Sequence, residues 1–181
     1  MHGYDDPHAS WAAETYRARV QDDLRHGAVA GLLGGGSIML FFAAYDALLF
    51  TPLATPHLLS QMLPNPKGLS EVLRDPEAIL TDLGSRSAFF RMAIFTALHL
   101  GAFVVLGIVL VKLLRTIGVS GGLLLGGLYG MVACSLGFLA ALHLSGAGLS
   151  ANPVWPAVLL GNFLAGMVMG GYLELKAFLK I

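Results

Sequence analysis

Charge is what this sequence has least of: Asp, Glu, Lys and Arg make up 12% of its 181 residues, about half the ~25% share of an ordinary soluble domain. Basic and acidic residues balance to zero net charge, so no basic surface is offered to nucleic acid or to acidic lipid. Cysteine is nearly missing as well. Its single copy, Cys134, lies in an apolar run, which excludes an internal disulfide and says nothing of redox compartment. Zinc-ligand spacings, a nucleotide fingerprint, a phosphate loop and a nucleophile elbow are all absent. Gly34-Gly35-Gly36-Ser37 has the composition of a phosphate cradle, but it falls within an apolar stretch without a following Lys and reads better as helix packing. The expectation from these absences is a protein that is not an enzyme.

What the chain has instead is apolar length. Hydrophobic residues make up 56% of it, and four stretches reach the ~20 apolar residues needed to cross the hydrocarbon layer. They run over residues 27–50, 90–113, 119–144 and 155–178. Asp5, Asp6, Glu14, Asp22 and Asp23 precede the first of these, in place of the basic-then-apolar order of a cleavable signal, so the first span is expected to serve as its own insertion signal. The expected fold class is all-α: an integral membrane four-helix bundle over 26–181. The segment 1–25 is expected to be a separate amphipathic helix along the interface, started by Asp6-Pro7 and carrying Trp11, Tyr16, Val20 and Leu24.

The connections set expectations about neighbours. A few residues around Arg115 and Gly118 join the second and third spans, and 145–153 joins the third and fourth, so each pair is expected to be antiparallel and adjacent. The long loop 51–87 begins at Thr51-Pro52 and repeats the pair at Thr55-Pro56, which reads as the cap and start of a short helix through His57, Leu58, Leu59 and Met62. Further amphipathic pieces are expected around 70–73 and 76–83, forming a cap on the outer membrane surface. Arg17, Arg19, Arg25, Lys112, Arg115, Lys176 and Lys180 fall on one side of the spans, against Lys67, Arg74, Arg86 and Arg91 on the other. That bias puts both termini in the cytoplasm. Tyr45, Trp155 and Tyr172 stand near the span ends, as an aromatic belt requires.

Eight of the 23 glycines fall in register. Gly27, Gly31 and Gly35 in the first span, Gly122, Gly126 and Gly130 in the third, and Gly166 and Gly170 in the fourth recur every four residues, which lines each set on one helix face where another backbone can approach. Three such faces exceed the needs of one small bundle, and at least one is expected to receive a helix from another subunit.

Polar groups inside a span are costly and mark function or specific packing. Asp46, His99 and Asn162, with Ser135 and Cys134, are expected to form one polar layer in the outer half of the bundle. Three readings of it compete: a hydrogen bond from Asp46 or Asn162 to His99 that fixes helix register, a proton or ion relay through Asp46 and His99, and haem or chlorin ligation by His99, the one deep axial candidate, since His143 lies at a different depth. At the opposite end His26, Glu174 and Lys176 fall near the interface, where hydration accounts for them.

Phe41 to Asp46 with Thr51-Pro52 and Thr55-Pro56-His57-Leu58-Leu59, His99 with Ala102-Phe103 and Gly107, and Trp155 with Asn162 and Met169-Gly170-Gly171-Tyr172-Leu173 resemble a group of small bacterial four-helix membrane proteins with no assigned activity. The resemblance touches all four spans and implies the bacterial inner membrane and the company of respiratory or other redox complexes. The expected function is therefore a non-catalytic accessory subunit of a larger electron-transfer complex, with membrane lipid and other membrane subunits as partners, bound lipid expected, and no nucleic acid. A homo-oligomeric transporter or channel and a small b-type cytochrome or pigment carrier are the alternatives.

Overall fold

The computed structural model describes residues 7–49, 52–60, 85–119, 122–144 and 155–179, all-helical among those residues. Five helices follow one another: α1 (Pro7–Leu48), α2 (Ala54–Ser60), α3 (Arg86–Thr116), α4 (Leu123–Leu144) and α5 (Trp155–Leu179). α1, α3, α4 and α5 are each long and apolar enough to cross a membrane. Their outer faces suit lipid and not water: Leu40 is 73% exposed, Leu124 67% and Leu136 60%, a surface that would be an aggregation hazard on a soluble monomer. The amphipathic pieces expected around 70–73 and 76–83 lie outside the described residues.

The N-terminal boundary differs from expectation. Residues 7–25 are not a separate helix, because α1 runs without a break for 42 residues, about 63 Å at 1.5 Å per residue. Nothing between Pro7 and Gly27 breaks a helix, since Ala, Glu, Arg, Gln and Leu dominate that stretch. The third span also starts later than its hydropathy suggests. Gly118, with φ at +72°, ends α3 in a Schellman motif: its N–H donates to the Arg115 carbonyl and the Val119 N–H to that of Leu114. Gly122 likewise stands outside α4, at φ +149°, where its carbonyl accepts from the Gly126 N–H. Only glycine adopts both conformations at low cost.

The packing order is α3, α1, α5, α4. α1 lies between α3 and α5, α5 lies between α1 and α4, and α3 meets α4 only lightly. The expected adjacency of the second and third spans is therefore corrected: their short turn holds two helix ends together without pressing their faces together. The reason lies in the glycines. A Cβ on Gly126, Gly130, Gly166 or Gly170 would strike the backbone of the facing helix across the α4–α5 contact, and one on Gly27, Gly31 or Gly107 would do the same across α1–α3. Gly35 packs on Leu100 and Phe103 of α3, and Gly34 on Met169 and the Ala165 carbonyl of α5. Seven of the eight glycines of the expected faces thus pack within the chain, while nothing lies within 4 Å of a Cβ added at Gly122. The core between them is Ala30, Ile38, Phe103, Leu110, Ala165, Met169 and their neighbours.

Candidate functional site

The polar layer expected in the outer half does not assemble. Asp46, 2% exposed, turns to the start of α2, where its carboxylate accepts from the Thr55 N–H at 2.8 Å and the Thr55 hydroxyl at 2.6 Å. Leu53 occupies the capping position of α2 in left-handed backbone, φ 65°, and its side chain has no acceptor to give the first turn, so Asp46 supplies one from nine residues upstream. The Thr-Pro cap read from the sequence is corrected accordingly: Thr55 and Pro56 sit inside the first turn, and Thr55 is the residue being capped. His57 and Ser60 of the same short helix are fully buried, with the Ser60 hydroxyl donating to the His57 carbonyl.

Asn162 and Ser135 do meet, the amide donating to the serine hydroxyl at 3.2 Å and tying α5 to α4. His99 joins neither group. It lies in a row of rings along α3, 5.7 Å from Phe95 and 4.9 Å from Phe103 between centroids, the i−4 and i+4 positions that share its helix face. No hydrogen bond links His99 to Asp46 or Asn162 among the described residues, so the register-fixing bond expected there is replaced by three separate local contacts. Cys134 is buried on α4. Among the described residues no three His, Cys, Asp or Glu side chains converge as a metal-ligand set.

Among the described residues the densest polar constellation stands at the other end, where α1 leaves the bundle. Adjacent Asp22 and Asp23 fork to different helices. Asp23 accepts a hydrogen bond from Arg115, at the end of α3, at 2.7 Å on one carboxylate oxygen, and its other oxygen stands 2.6 Å from the second terminal guanidinium nitrogen as an ion-pair contact. Asp22 takes Lys176 of α5, 3.2 Å from each oxygen, and also the His26 Nε2 at 3.1 Å. The other ring nitrogen of His26 is 3.0 Å from the Tyr172 hydroxyl. With Nε2–H donated to Asp22, Nδ1 accepts from the tyrosine, so both partners agree on one neutral tautomer. Glu174 is exposed and stands apart. An open cleft of about 480 Å³ lies between α1, α3 and α5 at this level, with Asp22, Asp23, Arg115 and Lys176 on its wall.

Sequence reasoning placed His26 and Lys176 near this interface but left them hydrated, and passed over Asp22, Asp23, Arg115 and Tyr172 as partners. The signal that could have found them is simple: two acids one turn before the first span, and a base at the end of the second and of the fourth, all fall at one depth once the spans alternate in direction. Comparison with protein-family models, with curated proteins and with solved structures finds no match for this chain, so its chemistry rests on these contacts.

Proposed function

We propose that the chain is a non-catalytic, multi-pass accessory subunit that docks on a larger complex of the bacterial inner membrane, an electron-transfer complex of the respiratory or photosynthetic kind, with both termini in the cytoplasm. The observation that carries the docking role is the overshoot of α1. Residues 7–21 continue beyond the Asp22–Asp23 fork as helix, about 22 Å of it, with Trp11 and Tyr16 exposed by 69% and 70%. A lone helix of ~15 residues is marginal in water, and exposed Trp and Tyr are the side chains most used to anchor partners. The electron-transfer assignment rests on the resemblance stated above, and the orientation on the distribution of Lys and Arg.

The test is extraction from native membranes in mild detergent, then native gel separation with an absorption spectrum and mass spectrometry of the band that holds this chain. A large band with redox or pigment-bearing subunits is expected, and Trp11→Ala with Tyr16→Ala should release the chain from it while the bundle stays folded. A lone colourless monomer would sink the accessory role. A lone band with a haem or chlorin spectrum lost in His99→Ala would replace it with the small-cytochrome reading.

A further inference from the structure

The cleft at the charged end has two kinds of wall. Val111 and Leu114 of α3 and Leu173 of α5 form an apolar side continuous with the core, while Asp22, Asp23, Arg115 and Lys176 form a charged rim. Its volume of about 480 Å³ is that of a small-ligand site. Arg115 and Lys176 each stand in the last turn of a membrane-length helix, which is headgroup depth for a phospholipid. The rim carries two carboxylates and two cations, so a ligand of one sign meets as much repulsion as attraction. A zwitterion meets attraction from both.

The ion pairs leave capacity of each sign unused. The Arg115 side chain is 43% exposed and, among the described residues, donates one hydrogen bond, to Asp23, out of its five N–H donors. The Asp22 side chain is 50% exposed, with lone pairs beyond those given to Lys176 and His26. We infer that this cleft binds an amine-bearing zwitterionic phospholipid, its phosphate on the outer N–H groups of Arg115, its primary ammonium on Asp22, and its glycerol and first acyl carbons against Val111, Leu114 and Leu173. Phosphatidylethanolamine is the simplest lipid of that chemistry. The primary ammonium matters because it donates hydrogen bonds to a carboxylate, which a trimethylammonium of equal charge cannot do.

The test uses the full chain in detergent micelles, with phosphatidylethanolamine, phosphatidylcholine and phosphatidylglycerol of identical acyl chains, read by lipid retention in native mass spectrometry and by thermal unfolding. The ethanolamine lipid is expected to be retained about tenfold over the other two, the worth of one charge-assisted hydrogen bond. Ala177→Trp, which fills the cleft from an exposed position and leaves every charged group in place, should abolish the preference. Asp22→Asn should collapse the distinction between ethanolamine and choline lipids while the protein stays folded. Equal retention of all three lipids, or an unchanged preference in both variants, overturns the inference. Free phosphoethanolamine is expected not to protect at concentrations where the lipid does. Equal protection by the soluble ester would overturn the assignment to a membrane lipid.

Discussion

The α4–α5 contact and the α3–α4 seam sit side by side on the same helix and are built in opposite ways. Across α4–α5, Gly126 and Gly130 meet Gly166 and Gly170 backbone to backbone, and the Asn162 amide adds one bond to Ser135. Across α3–α4 the link among the described residues is a side chain reaching over, the Tyr129 hydroxyl donating to the Leu106 carbonyl at 2.9 Å, although the short turn through Gly118 and Gly122 makes these two the nearest in sequence of the four long helices. In lipid the tails are as apolar as leucine, so there is no hydrophobic gain in pressing two leucine faces together. Close approach goes to the faces without a Cβ, whatever the length of the loop. The charged end follows a third rule, in which α1, α3 and α5 are held by side chains reaching across from Asp22 and Asp23.

The largest effect that would break this contrast is a side chain in the glycine contact. Gly126→Leu or Gly166→Leu is expected to destabilise the bundle at the upper end of the ~1–3 kcal/mol typical of overpacking, because the atoms in the way are backbone. Gly137→Leu and Gly101→Leu, where nothing stands within 4 Å of an added Cβ, should leave thermal unfolding in detergent unchanged. Equal losses at both kinds of site would mean that glycine acts here through chain flexibility and not through close approach.

Next comes the charged fork. Asp23→Asn is expected to cost about 1–2 kcal/mol, the range for a hydrogen bond to charge when one partner is partly exposed. Combined with Arg115→Gln it should be less than additive, which a double-mutant cycle in detergent would measure. Strict additivity would show the pair to be incidental. Asp46→Ala removes the cap of α2 and is expected to cost about 1 kcal/mol, seen as faster amide exchange confined to 54–60 with the four long helices unaffected. A global loss would mean instead that Asp46 holds the bundle itself. The smallest expected change is Asn162→Ala, about 0.6 kcal/mol, the mean for an interhelical bond in membranes. If Tyr129→Phe costs more than Asn162→Ala, the α3–α4 seam is a stronger contact than its lack of glycine implies.

Much of the fold was legible because the relevant physics is local. Four apolar runs of span length sufficed to find the four membrane-length helices, and the four-residue recurrence of Gly27, Gly31, Gly126, Gly130, Gly166 and Gly170 marked faces of close approach that the structure uses. Partners of those faces were not legible. Gly107 and Gly161 have no periodic set around them in the sequence, yet Gly107 nests against Gly27 and Gly31, and Gly161 against Phe41. The candidate site was read less well. Asp46, His99 and Asn162 share an approximate depth, but depth along a helix leaves rotation about its axis open, and rotation decides who meets whom. Asp46 found Thr55 across a turn, and His99 found the rings on its own helix.

What the sequence determined by itself is the set of elements: four membrane-length helices, their alternation, the glycine-bearing faces and the low charge that leaves the acids and bases few partners to choose from. Tertiary structure alone decided that α3 packs on α1 and hardly on α4, and that Asp22 and Asp23 part to two different helices beside a cleft. The physical reason is that apolar length and small-residue spacing are properties of one helix, whereas a buried contact depends on the rotation and crossing of two.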